Sequence, residues 1–284
     1  MLKLGIIKGL SGISLSSIMQ TEALQHLNIL GEYKVYEATS EQLEKLFKEL
    51  KANGVKGVNV TIPHKVNIVP FIDELTERAK LVGAVNTITF QENGKTIGDN
   101  TDVVGFWEGI PQEIKKEIPG KNVAILGCGG AACAVAIAFL LNNVSSIKIY
   151  GRNKDKLKNF KQAVQTSHRG VSIEIDLFAN IDLLNTHMLV NTTPLGMSPN
   201  INLSPVTKEE LGKLPKDSIV YDIIYNPQET KLLKDAKSLN LKTINGIDML
   251  VRQGAESLNI WLGKKVAPVQ IMKNALRDAP IERF

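Results

Sequence analysis

The chain has 284 residues, of which 43% are hydrophobic and 22% are charged. This length allows one large domain or two of ordinary size, and this composition is typical of a globular protein with an ample core. The net charge of +5 is mild, and the lysines are spread along the chain. A nucleic-acid partner is therefore not required, and an anionic small molecule suits the charge equally well.

The two cysteines, Cys128 and Cys133, lie close together without metal-ligand spacing or a neighbouring histidine. We interpret them as small buried residues in a reducing compartment and expect no metal site. The amino terminus opens directly on a strand, and no apolar run reaches the roughly 18 residues of a membrane span. We therefore expect a cytoplasmic protein without a membrane partner, either a monomer or a homodimer.

Short strands alternate with helices over the first hundred residues. The apolar spacing predicts strands at 2–7, 33–38, 57–61, 84–91 and 96–98, and helices at 16–30, 40–52 and 70–82. Thr39 and Gln42 have the capping-box spacing that starts a helix, and Asn93-Gly94 marks the tight turn of a hairpin. This order predicts a mainly parallel sheet with a hairpin near one edge.

A second alternation of strands and helices begins near residue 101. It predicts helices at 101–115, 130–141, 154–166, 247–262 and 267–276, another helix between the last two strands, and strands at 121–126, 146–150, 172–175, 188–191, 218–223 and 241–244. We thus predict an α/β fold of two domains. The first spans 1–101 and is completed by C-terminal helices, 247–284, that pack back on it; the second, doubly wound, spans 102–246.

The stretch from Gly57 to Lys65, Gly-Val-Asn-Val-Thr-Ile-Pro-His-Lys, brings polar side chains to the end of a strand. Pro63 suits the first turn of a helix. Asn59, Thr61 and Lys65 are therefore expected at the carboxyl edge of the sheet, where open α/β sheets bind ligands. A plain core strand followed by a solvated lysine is the alternative.

A glycine-rich turn links a strand to an apolar helix at Gly127-Cys128-Gly129-Gly130-Ala131-Ala132. Gly127 permits the tight turn, Gly129 lets the backbone approach a pyrophosphate, and Ala132 takes the third position of the dinucleotide fingerprint. This strand–loop–helix context indicates a Rossmann-type dinucleotide site rather than a simple tight turn.

The end of the next strand distinguishes NADP from NAD. It reads Gly151-Arg152-Asn153-Lys154, without the carboxylate that binds a ribose 2′-hydroxyl in NAD sites. Arg152 and Lys154 suit a 2′-phosphate and favour NADP. A basic surface pair is the alternative, and Asp155 is discordant with NADP.

Six blocks stand out when these segments are read in order. They are the motifs spanning residues 59–65, 83–87, 98–102, 127–131, 191–197 and 245–253 (NVTIPHK, GAVNT, GDNTD, GCGGA, NTTPLGM and NGIDMLVRQ). Together they resemble the shikimate dehydrogenase family over nearly the whole chain. The resemblance implies reversible, NADP-linked reduction of 3-dehydroshikimate to shikimate in chorismate and aromatic amino acid biosynthesis, with the first domain binding substrate.

The resemblance assigns Lys65 and Asp102 as the catalytic pair. Ketone reduction needs a proton donor at the developing alkoxide, and a partly desolvated lysine held near a carboxylate can supply the proton and stabilise the oxyanion. The alternatives are an ordinary surface ion pair and, for Asp102, an N-cap of the following helix.

Other positions match the family's ligand contacts. Toward the substrate these are Ser14 and Ser16 for the carboxylate, and Asn59, Thr61, Asn86, Tyr225 and Gln253 around the ring hydroxyls. On the cofactor side we expect Gly127, Gly129, Gly130, Ala131, Arg152, Asn153, Lys154, Asn191, Thr192 and Gly246. Simpler roles are open for three of them: Asn86 could cap a turn, Tyr225 could be core, and Gln253 could face solvent.

The first block of the family pattern is altered. The family reads Gly-x-Pro-x-x-His-Ser-x-Ser-Pro-x-x-His-Asn; both serines are kept, but Leu10, Ile13, Ser17 and Gln20-Thr21 replace other key positions. Ser17 does not fix φ as proline does, which leaves the serine loop less constrained. Gly151-Arg152-Asn153 also replaces Asn-Arg-Thr and loses a hydroxyl for the 2′-phosphate, which Lys154 is placed to offset.

Three functions follow from these observations. The first is a working shikimate dehydrogenase. The second is a dehydrogenase of quinate or another cyclic hydroxy acid, which the altered serine loop leaves open. The third is a non-catalytic NADP-binding paralogue, against which the intact Lys65 and Asp102 argue.

Overall fold

The computed structural model describes residues 1–10, 14–165 and 170–278. The chain divides into two compact units, Met1–Gly105 with Leu250–Phe284, and Phe106–Met249. The chain passes between the units inside two continuous helices, Asp102–Gly109 and Ile247–Leu262. The predicted domain borders at 101/102 and 246/247 therefore fall at the starts of these helices.

The described residues contain twelve strands and twelve α-helices. In chain order the strands are β1 (Leu2–Lys8), β2 (Gly31–Glu37), β3 (Gly57–Val60), β4 (Glu74–Leu75), β5 (Thr87–Phe90), β6 (Thr96–Asp99), β7 (Asn122–Leu126), β8 (Ser146–Gly151), β9 (Ser172–Leu177), β10 (Met188–Asn191), β11 (Ile219–Asp222) and β12 (Lys242–Ile244). The helices are α1 (Leu15–His26), α2 (Leu43–Ala52), α3 (His64–Asn67), α4 (Glu77–Val82), α5 (Asp102–Gly109), α6 (Gln112–Lys115), α7 (Gly130–Leu141), α8 (Lys154–Gln165), α9 (Lys208–Leu211), α10 (Lys231–Ser238), α11 (Ile247–Leu262) and α12 (Val269–Asp278).

The sheet of the first unit has the strand order β2-β1-β3-β5-β6-β4. The pairs β1–β2, β1–β3 and β4–β6 are parallel, whereas β5 runs antiparallel to both β3 and β6. The predicted parallel sheet with a hairpin near one edge is confirmed. The C-terminal helices belong to this unit, and Gln20 of α1 donates a hydrogen bond to the carbonyl of Gly254 in α11 (2.8 Å).

One face of α11 lies on this sheet. Gln253, Ser257 and Trp261 follow at intervals of four and share that face. The Trp261 indole N–H donates to the carbonyl of Ile88 (3.0 Å), and a Cβ added at Gly57 would lie 2.1 Å from the same indole nitrogen. Gly57 therefore gives β3 room to pass beneath the ring.

The second unit is doubly wound, as predicted. Its six described strands are all parallel and have the order β12-β11-β10-β7-β8-β9. The continuous apolar helix α7 is buried along nearly its whole length. The carboxyl ends of β7 and β10 meet at the middle of the sheet, at the point where strand order reverses, and this is where such sheets bind ligands.

Two long helix predictions are wrong. The helix predicted at 70–82 is interrupted by β4, and α4 begins only after Thr76, whose hydroxyl accepts the N–H of Ala79. Pairing of β4 with β6 outweighs the local helical pattern. The helix predicted at 101–115 is split before Pro111, since proline cannot supply a helical N–H bond.

Smaller differences lie at element ends and at one cysteine. Helix α1 ends at His26 rather than residue 30, because Asn28 takes a left-handed φ of 54°. Cys133 is buried, as predicted, but Cys128 is only half-buried in the open turn after β7. The predicted helix end at Thr166 lies outside the described residues. No helix in the described ranges is long and apolar enough to cross a membrane.

Candidate active site

The polar stretch after β3 is held in place by neighbouring backbone. The N–H of Thr61 donates to the carbonyl of Ile7 (3.0 Å), and the N–H of Gly9 donates to the carbonyl of Ile62 (3.4 Å). Pro63 is the N-cap of the short helix α3 rather than its first residue. This arrangement puts Lys65 in the first turns after the strand, at the carboxyl edge of the sheet.

Lys65 and Asp102 form an ion pair, with Lys65 Nζ 2.5 Å from Asp102 Oδ2. Their backbones are joined through residues 84–86, since Val85 donates to the Lys65 carbonyl (2.8 Å) and Asn86 donates to the Asp99 carbonyl (3.0 Å). The Asp102 side chain is 10% exposed and that of Lys65 26% exposed. The pair is thus partly desolvated, unlike an ordinary surface ion pair, but open enough for the ammonium to reach a ligand.

The second oxygen of Asp102 is also bonded. Its Oδ1 accepts from Asn86 Nδ2 at 2.9 Å, and Asn86 Nδ2 lies 3.5 Å from Gln253 Oε1. Both carboxylate oxygens are therefore occupied by side chains, which is not the geometry of a helix N-cap. Asn86 and Gln253 are buried, so neither the turn-capping role of Asn86 nor the solvent-facing role of Gln253 is observed.

Behind Asn86 lies a cluster of three buried hydroxyls, from Thr87, Thr101 and Ser257, which we call the hydroxyl cluster. Ser257 Oγ is 2.8 Å from Thr87 Oγ1 and 3.2 Å from Thr101 Oγ1, and both threonines donate toward Asn86 Oδ1. None of these three hydroxyls is among the site residues predicted from the sequence. The spacing of Gln253, Ser257 and Trp261 on one helix face was the available signal.

Asn59 is part of the same interior network. Its Oδ1 accepts from the Tyr33 hydroxyl at 2.8 Å, and its Nδ2 lies 2.9 Å from Ser257 Oγ and 3.1 Å from the Asn86 carbonyl. Asn59 is 4% exposed. The structure therefore places it behind Asn86, among partners that use both ends of its amide.

The two serines of the altered loop lie at the start of α1. Ser14 is the N-cap of this helix, and both Ser14 and Ser16 are buried. Ser14 Oγ has no hydrogen-bond partner among the described residues, which is unusual for a buried hydroxyl and leaves it available to a ligand. A helix amino terminus favours an anion at this position.

Ser17 takes over part of the role of the family's proline. Its Oγ donates to the Ser14 carbonyl at 2.7 Å, and its N–H donates to the same oxygen at 3.1 Å. These two bonds hold the first turn of α1, so the loop is more constrained than the loss of proline suggests. Ile13, another departure from the family pattern, lies outside the described residues.

Thr61 and Tyr225 complete the predicted substrate set. Thr61 is half-buried at the end of β3, in the first unit with Lys65. Tyr225 belongs to the second unit and is 39% exposed, so it is not a core residue.

The predicted cofactor loop follows β7. Gly127 has a φ of +112°, and a Cβ there would lie 2.6 Å from Thr192 Oγ1, so glycine is required. A Cβ at Gly129 or Gly130 would meet nothing within 4 Å. These two glycines and the half-buried Ala131 therefore border open space at the amino terminus of the twelve-residue helix α7, as a pyrophosphate site needs.

The end of β8 carries two exposed cations, Arg152 and Lys154. Asn153 Oδ1 accepts the backbone N–H groups of Asp155 and Lys156 (3.0 and 2.9 Å), so Asn153 acts as the cap of α8. The discordant Asp155 lies 3.8 Å from Lys158 and its side chain is 89% exposed. The structure thus leaves a basic edge here that matches a 2′-phosphate better than a ribose hydroxyl.

Asn191 and Thr192 are used to build the loop around this site. Asn191 Nδ2 donates to Asp222 Oδ1 (3.0 Å) and its Oδ1 accepts from Thr193, while Thr192 Oγ1 donates to the Leu126 carbonyl (2.6 Å). Burial raises the pKa of Asp222 to about 6, although its bonds from Thr230, Ile224 and Asn191 act in the opposite direction.

Gly246 allows a close backbone approach, since a Cβ there would lie 2.0 Å from the Ile223 carbonyl oxygen. It is buried in the second unit, near the residues that follow β11. A glycine is therefore needed at this position for packing, whatever ligand the loop binds.

Comparison with known proteins gives the family. The model of the shikimate dehydrogenase substrate binding domain matches residues 11–88, and that of the shikimate 5'-dehydrogenase C-terminal domain matches residues 246–277. The shikimate dehydrogenase (NADP(+)) of Methanocaldococcus jannaschii is 41% identical over 268 residues, which cover 93% of this chain and 92% of the relative.

Solved structures agree over the whole length. A shikimate dehydrogenase in complex with NADP+ superposes with a TM-score of 0.88 at 37% identity and covers 98% of this chain and 95% of its own. The 5-ketofructose reductase of a Gluconobacter species gives a TM-score of 0.86 at 31% identity, with 98% of each chain covered. The chain therefore belongs to the shikimate dehydrogenase family.

Proposed function

We propose that this protein is an NADP-dependent shikimate dehydrogenase, an oxidoreductase that reduces the 3-carbonyl of 3-dehydroshikimate to the CH–OH group of shikimate, reversibly. The observation that carries the proposal is the ion pair of half-buried Lys65 with buried Asp102, 2.5 Å apart at the carboxyl edge of the first sheet. A formed pair with an available ammonium also argues against a non-catalytic paralogue.

Lys65 is the proton donor in this proposal. During reduction, negative charge develops on the carbonyl oxygen, and the ammonium can stabilise it and then transfer a proton to it. In the oxidative direction the neutral amine accepts the hydroxyl proton. Asp102 orients the ammonium by its Oδ2, and Asn86 holds the carboxylate by its Oδ1.

Ser14 and Ser16 are the proposed site for the carboxylate of the acid. The evidence for this role is the buried Ser14 hydroxyl, which lacks a partner in the described ranges, at the amino terminus of a twelve-residue helix. Thr61 and Gln253 are proposed as further contacts to the substrate in the first unit. Asn59, whose amide is bonded inside the unit, supports these contacts from behind.

NADPH is the proposed cofactor, and it supplies the hydride when bound. The residues present fit such a group, because Gly129 and Gly130 leave open space before α7 and no carboxylate occupies the position of Arg152. The backbone N–H groups of the α7 amino terminus would bind the pyrophosphate, and Arg152 with Lys154 would bind the 2′-phosphate. Both cysteines are free thiols, which suits the proposed cytoplasmic location.

The test is substrate-dependent reduction of NADP+ and of NAD+ by the purified protein, with shikimate and quinate in parallel. We expect turnover with shikimate and NADP+. The proposal fails if shikimate gives no turnover while NADPH still binds, as measured by the fluorescence of the bound nicotinamide.

A second candidate is the oxidation of another polyol or cyclic hydroxy acid. The observation in its favour is the altered serine loop, in which Leu10 and Ser17 stand at proline positions of the family. A related chain named 5-ketofructose reductase shows that this fold also carries other activities. Faster turnover of quinate, or reduction of 5-ketofructose by NADPH in place of 3-dehydroshikimate, would favour this candidate.

A further inference from the structure

The orientation of the Asn86 amide is fixed by a backbone group. The N–H of Thr101 points at Asn86 Oδ1 from 2.8 Å, and a backbone N–H can only donate. The oxygen of the amide must therefore face Thr101, and its NH2 group must face Asp102 Oδ1, 2.9 Å away. Asn86 thus accepts hydrogen bonds from the interior of the unit through its oxygen and donates one to the Asp102 carboxylate through its NH2 group.

The single proton of Ser257 can also be assigned. Asn59 Nδ2 is a donor to Ser257 Oγ at 2.9 Å, and the Gln253 carbonyl can only accept from it at 3.0 Å. The Asn86 carbonyl, which can only accept, lies 3.1 Å from Asn59 Nδ2 and fixes the Asn59 amide in this orientation. The geometry directs the Ser257 hydroxyl at the Gln253 carbonyl, and in that orientation Ser257 accepts from Thr87 and Thr101.

The two threonine hydroxyls lie near Asn86 Oδ1 and Ser257 Oγ and are 3.3 Å from each other. Thr87 lies 2.9 Å from Asn86 Oδ1 and 2.8 Å from Ser257, and Thr101 lies 3.1 Å from Asn86 Oδ1 and 3.2 Å from Ser257. Both threonine hydroxyls have donor geometry toward Asn86 Oδ1. The amide oxygen of Asn86 thus accepts a hydroxyl proton as well as the Thr101 N–H.

No water can replace these bonds from outside, because the exposed fractions of Thr87, Thr101 and Ser257 are 1%, 0% and 0%. Two donors on the amide oxygen polarise the amide and strengthen the bond that its NH2 group gives to Asp102. That bond holds Oδ1 in place and so directs Oδ2 at the Lys65 ammonium. The geometry of the catalytic pair therefore depends on side chains that never touch it.

We propose that Thr87 and Ser257 are positioning residues for the dehydrogenase reaction, which act through the Asn86 amide on Asp102 and Lys65. This inference rests on the proposed function. It adds Thr87 of β5 and Ser257 of α11 to the groups that set the rate.

The test compares Thr87→Val, which removes the hydroxyl at nearly constant volume, with Thr87→Ser, which keeps it. In steady-state oxidation of shikimate we expect Thr87→Val to lower kcat by about 3- to 10-fold, the value of one hydrogen bond. KM for shikimate and NADP+ should change less than about twofold, since Thr87 is only 1% exposed and is out of reach of a ligand, and Thr87→Ser should recover most of kcat.

Thr89→Val is the matched control, because Thr89 lies on the same strand and the same face of β5 but outside the hydroxyl cluster. Its kcat should equal that of the wild type. Should Thr87→Val fail to fold, Ser257→Ala tests the same expectation from the helix side. In an Asn86→Ala background the Thr87→Val change should cause no further loss, since its route to Asp102 is already removed.

The outcomes separate this inference from the function itself. No turnover of shikimate by the wild type would count against the proposed function. Active wild type with equal kcat for Thr87→Val and Thr89→Val would overturn only the inference. A Thr87→Val variant that raises KM with kcat unchanged, or that loses rate additively with Asn86→Ala, would overturn it as well.

Discussion

Lys65 and Asp102 are 37 positions apart in sequence, and the short segment 84–86 brings them together. Val85 bonds to the backbone of Lys65 and Asn86 to the backbone of Asp99, so the strands on either side present their end residues to each other. Each side chain is ordinary by itself. The role that we propose for the ammonium depends on its being half-buried and on its having a carboxylate as hydrogen-bond partner.

Replacing the ammonium should stop chemistry without loosening the cofactor. We expect Lys65→Ala to lower kcat for shikimate oxidation by about 10²–10⁴-fold, the usual contribution of a proton-transfer group. The affinity for NADPH, measured by titration of nicotinamide fluorescence, should stay unchanged. Lys80→Ala, which removes an exposed lysine that pairs only with Glu77 among the described residues, is the control. Loss of NADPH binding by Lys65→Ala would contradict the role given to Lys65.

Asp222 should make stability depend on pH. Its pKa is about 6 in the folded chain against an ordinary 3.8, so the folded state holds the proton more tightly than the unfolded state. This contribution to stability is complete below pH 3.8 and is lost as pH rises through about 6. Relative to Asp222→Asn, the wild type should therefore lose about 2 kcal/mol of unfolding free energy between pH 4 and 7. Urea denaturation at several pH values measures it, and a constant difference would contradict the assignment.

Among the elements, those with a strong local pattern were predictable. The bounds of α7, β10 and α11 coincide with the predicted ones, because each is a continuous apolar or amphipathic run. The break at β4 was not predictable, since a two-residue strand gains its stability from pairing with β6. The hydroxyl cluster was missed for a similar reason, because Thr87 and Ser257 are 170 positions apart and share no local pattern.

The candidate site also has a part that was predictable from the sequence and a part that was not. Lys65, Asp102 and the glycine loop carry short motifs, and the motifs gave their positions. The motifs do not reveal which side chains bind a ligand and which stabilise the protein. Asn59 and Asn191 were predicted as ligand contacts, yet both amides are bonded to neighbouring protein groups. A polar residue in a motif can serve the ligand or the loop that surrounds it, and only the hydrogen-bond partners distinguish these cases.

The fit between β3 and α11 leaves no room at Gly57. We expect Gly57→Ala to destabilise the protein by about 2–4 kcal/mol, because the new methyl group would overlap the Trp261 indole and break its bond to Ile88. Gly212→Ala, where the nearest atom to the new Cβ is 3.4 Å away, is the matched control and should change stability little. Thermal unfolding of both variants measures the difference, and equal stabilities would refute the packing argument.

In the loop before α7, we expect a glycine-to-alanine change to weaken cofactor binding and to leave stability unchanged. Gly129 has an ordinary φ of −95° and open space around it, so Gly129→Ala should leave the melting temperature unchanged. The methyl group would nevertheless occupy the space proposed for the pyrophosphate and should weaken NADPH binding by about tenfold or more. Calorimetric titration with NADPH tests this, and unchanged affinity would place the cofactor elsewhere.

At the scale of the molecule, one unit is continuous in sequence and the other is not. Residues 106–249 form the second unit alone, whereas the first needs 250–278 to complete its core. We expect a fragment of residues 102–249 to unfold cooperatively and to bind NADPH, and a fragment of residues 1–101 to remain unfolded, because Gly57 and the hydroxyl cluster lose α11. Circular dichroism melts of the two fragments decide the matter; a cooperative melt of 1–101 alone would contradict it.

The late position of Ser257 also sets an order of events during synthesis. Thr101 leaves the ribosome 156 residues before Ser257, and Asn59 leaves 198 residues before it. At bacterial and eukaryotic elongation rates of about 5–20 residues per second, Thr101 waits roughly 8–30 s for its partner. Over that interval the apolar strands of the first unit lack the helix that covers them. We therefore expect the first unit to expose apolar surface, and to be open to chaperones, until α11 has been made.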